Sequence, residues 1–115
     1  MINCIFCKII NGELPAAFVY KDSEMVAFAD INPKAPVHIL VVPVIHFESL
    51  RDVDSRHEKI LGKMMVKVKE IAEKQGISDG GYKIIINNGK GVGQLVFHLH
   101  VHILGGWKKS PGWQV

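Results

Sequence analysis

Leu95-Val96-Phe97-His98-Leu99-His100-Val101-His102-Ile103-Leu104 is the stretch on which the fold of this 115-residue chain turns. Side chains on a strand alternate between its two faces. Read as a strand over 95–104, the stretch puts Leu95, Phe97, Leu99, Val101 and Ile103 on one face. Val96, His98, His100, His102 and Leu104 share the other. One face is wholly apolar and suited to a core; the opposite face carries three imidazoles in a row. Any functional reading has to account for that row.

The rest of the chain supplies partners for such a strand. Phe18 to Lys21 and Met25 to Asp30 form a hairpin about Asp22-Ser23. His38 to Val42 is an apolar strand ending at Pro43, and Tyr82 to Asn87 is another. Cys4 to Asn11 reads as a short helix stopped at Gly12. Ser55-Arg56-His57-Glu58 fits a capping box. It opens a longer helix in which Ile60, Leu61, Met64, Val68, Ile71 and Ala72 keep helical spacing until Gly76. Asn32-Pro33-Lys34-Ala35-Pro36 is a proline-fixed loop, and Asn88-Gly89-Lys90-Gly91-Val92-Gly93 is a glycine-rich turn leading into the histidine strand. These elements predict an α+β fold: an antiparallel five-stranded sheet with one long and one short helix.

Composition narrows the function classes. A chain of 12.8 kDa with 48% hydrophobic residues suits one domain spanning residues 1–115. The net charge of +3 comes from scattered lysines, which favours a small anionic ligand and supports neither a nucleic-acid arm nor a membrane patch. No window has the length of a membrane span, and Met1-Ile2-Asn3-Cys4 does not open a signal peptide, so a cytoplasmic protein is expected. In a reducing compartment the Cys4-x-x-Cys7 pair favours free thiols or a metal over a disulfide.

Three chemistries could use the histidine row. A purely structural role would gather desolvated imidazoles with little gain in packing. A catalytic metal site could share alternate histidines, but it calls for carboxylates near the ligands, and no acid lies near this strand in sequence. Nucleophilic catalysis on phosphorus fits better. A neutral imidazole is available at pH 7, a hydrogen bond to one ring nitrogen aims the other, and a neighbouring imidazole can assist the leaving group. The adjoining glycine turn would let backbone N–H groups converge on a phosphate.

The run Gly93-Gln94, then Val96 through Gly106, resembles the signature of the histidine triad (HIT) family, and within it the Hint-type purine nucleoside phosphoramidases. Cys7 to Ile10 and Phe28 to Leu40 match the same pattern in order and spacing, so the resemblance covers residues 4–106 and leaves 107–115 as a C-terminal tail. It implies a HIT-like fold and hydrolysis of purine nucleoside 5′-phosphoramidates through a covalent nucleotidyl-histidine. A sister branch hydrolyses dinucleoside polyphosphates, and a nucleotide-binding or protein-interaction module is the alternative outside catalysis.

Residue by residue, the resemblance makes His100 the nucleophile. His102 becomes the phosphate contact that assists leaving-group protonation, and His38 a member of the orienting network. Asp30 takes the ribose hydroxyls, Leu14, Phe28, Ile31 and Leu40 wall the purine, and Asn87 and Gly93 lie near the α-phosphate. Leu95 occupies a position that is often serine in animal relatives, which removes a hydroxyl from the phosphate site. Some bacterial members hold zinc at positions matching Cys4, Cys7, His46 and His98, a closed and therefore structural set; no catalytic metal is expected. The resemblance also implies a homodimer, consistent with the successive apolar residues Met64-Met65-Val66. It further implies a tail, with Trp107 and Trp113, that reaches the partner's active site.

Overall fold

A computed structural model describes residues 3–114. The elements run α1 (Ile5–Ile10), β1 (Phe18–Lys21), β2 (Met25–Ala29), β3 (Val37–Pro43), α2 (Glu58–Lys74), β4 (Tyr82–Ile85) and β5 (Val101–Gly105). The strands form one antiparallel five-stranded sheet in the order β1-β2-β3-β5-β4, which meets the expected architecture.

The period-two pattern sorts the sheet into two unlike faces. Met25, Ala27, Ile39, Val41, Val101 and Ile103 point to α2 and close over Ile60, Met64, Val68, Ile71 and Ala72. Val26, Phe28, Leu40 and Val42 point the other way and receive Phe6 and Ile9 from α1. A six-residue helix cannot cover a sheet, so part of this second face stays open. There the register sets His102 opposite Leu40 and His38 opposite Leu104.

The histidine strand is shorter than its alternation predicts. Only Val101–Gly105 pairs, and residues 95–100 approach β5 as irregular chain. The cause lies in the neighbouring strand. Continuing the β3–β5 ladder would place Leu99 against Pro43, which has no N–H to donate. The Leu99 N–H bonds instead to the Phe47 carbonyl, and the Pro43 carbonyl takes the His98 ring. The apolar face is truncated accordingly: Leu99, Val101 and Ile103 are buried, whereas Leu95 is 89% exposed and Phe97 is also exposed.

The start of the long helix differs too. Asp54, not Ser55, is the cap. Its carboxylate accepts the Arg56 N–H, and the His57 ring accepts the Asp54 N–H at 3.1 Å, so a 3-10 turn over Ser55–His57 precedes α2. The α2 apolar stripe is otherwise as expected, with Met65 and Val66 left exposed. No helix among the described residues is long and apolar enough to cross a membrane.

Candidate functional site

Five of the six histidines gather on or beside the α1 face; the sixth, His57, belongs to the α2 cap. Their hydrogen bonds fix which nitrogen of each ring carries the proton. A carbonyl can only accept, so His98 Nε2–H donates to Pro43 O at 2.7 Å and His100 Nδ1–H donates to His98 O at 2.7 Å. In the neutral ring each therefore presents a bare nitrogen: Nδ1 in His98, Nε2 in His100. The Lys34 N–H donates to His38 Nδ1 at 3.0 Å. That leaves the His38 proton on Nε2, from which it is donated to His102 Nδ1 at 2.9 Å. His102 consequently carries its own proton on Nε2.

Burial keeps these rings neutral. Desolvation pushes His102 down to about 4, aided by the nearby His100 and His38 rings. His98 is likewise held at about 4 by desolvation, against the opposing effect of the Pro43 carbonyl. His100 and His38 are lowered for the same first reason, although Asp30 pulls each back up. Neutral imidazole is the form that can act as nucleophile or ligand.

The cleft beside them has a volume of about 510 Å³. Phe6, Ile9, Ala16, Phe28, Ile31 and Leu40 make an apolar wall. Asp30, Asn32, Lys34 and His38 make a polar corner, and Asn87, Gly93, His100 and His102 line the remaining side. Of the residues assigned by resemblance to the nucleotide, only Leu14 is absent from this lining; it is exposed, and its neighbours Pro15 and Ala16 take that stretch of the wall. Ile31 lies at the mouth with 91% of its surface exposed. Trp113, from the tail, lines the cleft of its own chain and meets Trp107 edge-on at 6.1 Å.

Two further expectations change in three dimensions. The glycine turn spends much of its donor capacity on itself: the N–H groups of Val92, Gly93 and Gln94 bond to carbonyls of residues 89–90, and that of Gly89 to the Gln94 side chain. Left-handed backbone at Gly89 and Gly93 permits this closure. Buried Gln94 also donates to the Glu48 and Val96 carbonyls, tying the turn to the loop after β3. Its burial is not encoded in any local periodicity. An acid, moreover, does reach the histidines. Asp30 Oδ2 lies 3.5 Å from His38 Nε2, and Asp30, His38 and His102 each offer one ligand atom within 4.8 Å of the others. A cation placed there would have to displace the proton shared by the two rings.

Behind the cleft, Cys4, Cys7, His46 and His98 converge with one donor atom each, all within 4.8 Å. His98 Nδ1 is 3.4 Å from Cys4 Sγ and 3.6 Å from Cys7 Sγ, and His46 Nδ1 is 3.3 Å from Cys7 Sγ. A tetrahedral zinc with ordinary Zn–S and Zn–N bonds has S···N edges of about 3.5 Å, so the donor set fits that ion. The Nδ1 of His98 is free to ligate because its Nε2–H is committed to Pro43, while His46 Nε2 is buried without a partner. Burial, with the neighbouring Cys4, pushes the Cys7 thiol up, so a cation is needed to draw off its proton.

Comparison with known proteins agrees with this arrangement. Residues 3–114 match the family model described as scavenger mRNA decapping enzyme C-term binding. The chain is 58% identical over 105 residues to protein HitA of Neisseria gonorrhoeae, covering 91% of this chain and 97% of that protein. It is 45% identical over 107 residues to the purine nucleoside phosphoramidase of Escherichia coli K12, covering 93% and 90%. A 14 kDa zinc-binding protein of Zea mays shares 44% over 104 residues, covering 89% and 80%. A HIT family hydrolase from Clostridium thermocellum superposes with a TM-score of 0.93 at 41% identity, covering 99% of each chain. With its wired imidazoles set on this sheet, the chain belongs to the histidine triad family of hydrolases.

Proposed function

We propose that this chain is a purine nucleoside 5′-phosphoramidase that works through a nucleotidyl-His100 intermediate. The observation that carries the reading is the His100 Nδ1–H bond to the His98 carbonyl, which leaves a bare Nε2 on a ring lining the cleft. Attack by Nε2 on the α-phosphorus forms the N–P bond and breaks the bond to the amine. The amine leaves with a proton taken from water. His100 then carries the positive charge of a phosphorylated imidazole, which its Nδ1–H bond to His98 spreads and orients. A second water next attacks phosphorus and gives a proton to the hydroxide left by the first step. The Nε2–P bond breaks, and the nucleoside monophosphate departs from a His100 that is neutral again.

His102 donates its Nε2–H to a phosphoryl oxygen. Full transfer of that proton would leave an anionic ring, because His102 Nδ1 only accepts from His38. His102 is thus an electrostatic donor in this wiring, backed by the chain from Lys34 through His38. Asp30 binds the ribose hydroxyls through its carboxylate, and the Phe28, Ile31 and Leu40 wall takes the purine. Asn87 and Gly93 flank the phosphate. Cys4, Cys7, His46 and His98 hold a structural zinc, supported by the donor geometry and by the zinc-binding relative in maize. That set leaves no position for substrate. Exposed Met65 and Val66 on α2 meet a second copy in a homodimer.

Side-by-side turnover decides the substrate class. Adenosine 5′-phosphoramidate should be hydrolysed faster than a diadenosine polyphosphate, and both compared with AMP binding alone. Faster cleavage of the dinucleotide would move the chain to the sister activity. Binding of AMP without turnover of either compound would make it a nucleotide-binding module.

A further inference from the structure

The thiol–imidazole cluster and the cleft are joined at two places. One is α1. Cys4 and Cys7 direct sulfur to the cluster, while Phe6 between them stands edge-on to His100 at 5.0 Å and to Phe28 at 5.5 Å. Ile9, one turn on, lines the cleft. A helix of six residues has almost no stability of its own, so its position is set by what its side chains hold. The other junction is residue 98, whose ring nitrogen faces the thiols and whose carbonyl orients the nucleophile. Fixing the sulfurs and His98 Nδ1 therefore also fixes the ring and the carbonyl that define the His100 side of the cleft.

We infer that metal bound by Cys4, Cys7, His46 and His98 and nucleotide bound in the cleft strengthen each other's binding, with Phe6 and His98 as the positioning residues that couple them. The inference rests on the nucleotide reading above. Without metal, α1 and the His98 segment sample positions in which Phe6 leaves His100, and only a fraction of molecules present a formed cleft. Apparent nucleotide affinity falls to that fraction of its value in the formed cleft. Linkage makes the effect reciprocal: the factor by which metal tightens nucleotide equals the factor by which nucleotide tightens metal.

The test measures both directions with AMP and zinc. Calorimetry should show AMP binding about 5-fold or more weaker to metal-stripped than to zinc-loaded protein, a factor at the low end of ordinary couplings. Equilibrium competition between zinc-loaded protein and a chromophoric chelator should show zinc held tighter by the same factor when AMP is saturating. This second arm begins from folded, loaded protein and does not depend on the stripped form surviving. Phe6→Leu keeps all four ligands. It should bind zinc at full stoichiometry while the AMP-dependent gain in zinc affinity shrinks toward one. If metal loss merely unfolded the whole chain, that gain would be unchanged in Phe6→Leu, and the coupling route would be overturned. Equal AMP affinity with and without zinc, and unaltered chelator competition, would overturn the coupling while leaving the nucleotide reading intact. Failure of loaded protein to bind AMP would overturn both, and failure of the chain to take up zinc would overturn the coupling.

Discussion

The two faces of one sheet obey different rules. Toward α2, Met25, Ala27, Ile39, Val41, Val101 and Ile103 are apolar and closed, and they do nothing but pack. Toward α1, the same strands place His38, Leu40 and His102 beside a cleft, and four buried or half-buried imidazoles are held neutral with their protons assigned one by one. The backbone cannot distinguish these faces, because a strand offers alternate residues to both. What differs is coverage: a 17-residue helix seals one side, and a six-residue helix leaves the other open. A small domain can thus afford desolvated polar groups on one face because the other supplies its cohesion.

That contrast breaks most sharply at His100, the proposed nucleophile. His100→Ala should lower phosphoramidate turnover by several orders of magnitude, since the attacking atom is gone. Thermal unfolding and AMP binding should stay close to wild type. A residual rate within tenfold of wild type would remove His100 from the chemistry.

On the opposite face, Met64→Ala should do the reverse. Met64 is fully buried between α2 and the sheet, and truncation of such a side chain costs about 2–5 kcal/mol. Denaturant midpoints measure the loss. Activity per folded molecule should be unchanged, because no atom of the cleft is touched. A Met64→Ala protein that is stable but catalytically impaired would show that the faces are not independent.

The pH dependence sharpens the same division. His102 has a folded-state value of about 4 against an ordinary 6.5, so below pH 6.5 the unfolded chain binds more protons than the folded one. Stability should therefore rise with pH from about 4 to about 6.5 and then level off. In His102→Gln the slope over that window should be shallower, as read from unfolding temperatures across pH. Identical slopes in the two proteins would place the acid sensitivity elsewhere. By the same direction of shift in His100 and His38, turnover should hold constant from pH 8 to below 6.5 before it falls.

The smallest effect is expected at the rim. Leu95 is almost fully exposed, so Leu95→Ser should move stability by no more than about 0.5 kcal/mol. A hydroxyl there adds a phosphate contact, and KM for adenosine 5′-phosphoramidate should fall slightly. A large change in unfolding temperature would mean that Leu95 packs against a second copy.

Much of this was legible in the sequence, and the parts that were not share a cause. Val101 and Ile103 carry their alternation openly, Ile39 to Val42 read as a continuous apolar run, and the six apolar positions of α2 keep helical spacing, so both layers of the main core follow from local pattern. The end of the histidine strand does not, because it depends on Pro43, a residue distant in sequence that would have had to supply a donor. The helix cap was ambiguous because Asp54 and Ser55 both satisfy capping chemistry, and the His57 ring settles the frame. At the site, the histidines were visible as a row, yet which nitrogen each presents depends on Pro43, Lys34 and residue 98 meeting them in space. The Asp30–His38 proximity and the buried clasp of Gln94 are equally nonlocal. Leu14 is assigned to the cleft by resemblance alone, with no local pattern behind it, and a turn after α1 carries it outward.

The central claim is that His100 Nε2 bonds to phosphorus. Rapid-quench intact-mass analysis of the zinc-loaded protein mixed with adenosine 5′-phosphoramidate tests it most directly, with peptide mapping to locate the adduct. The account predicts a transient mass increase of one adenylyl group on His100, absent in His100→Ala. Full turnover with no adduct at any quench time, or an adduct mapped to His102 or His38, would contradict it.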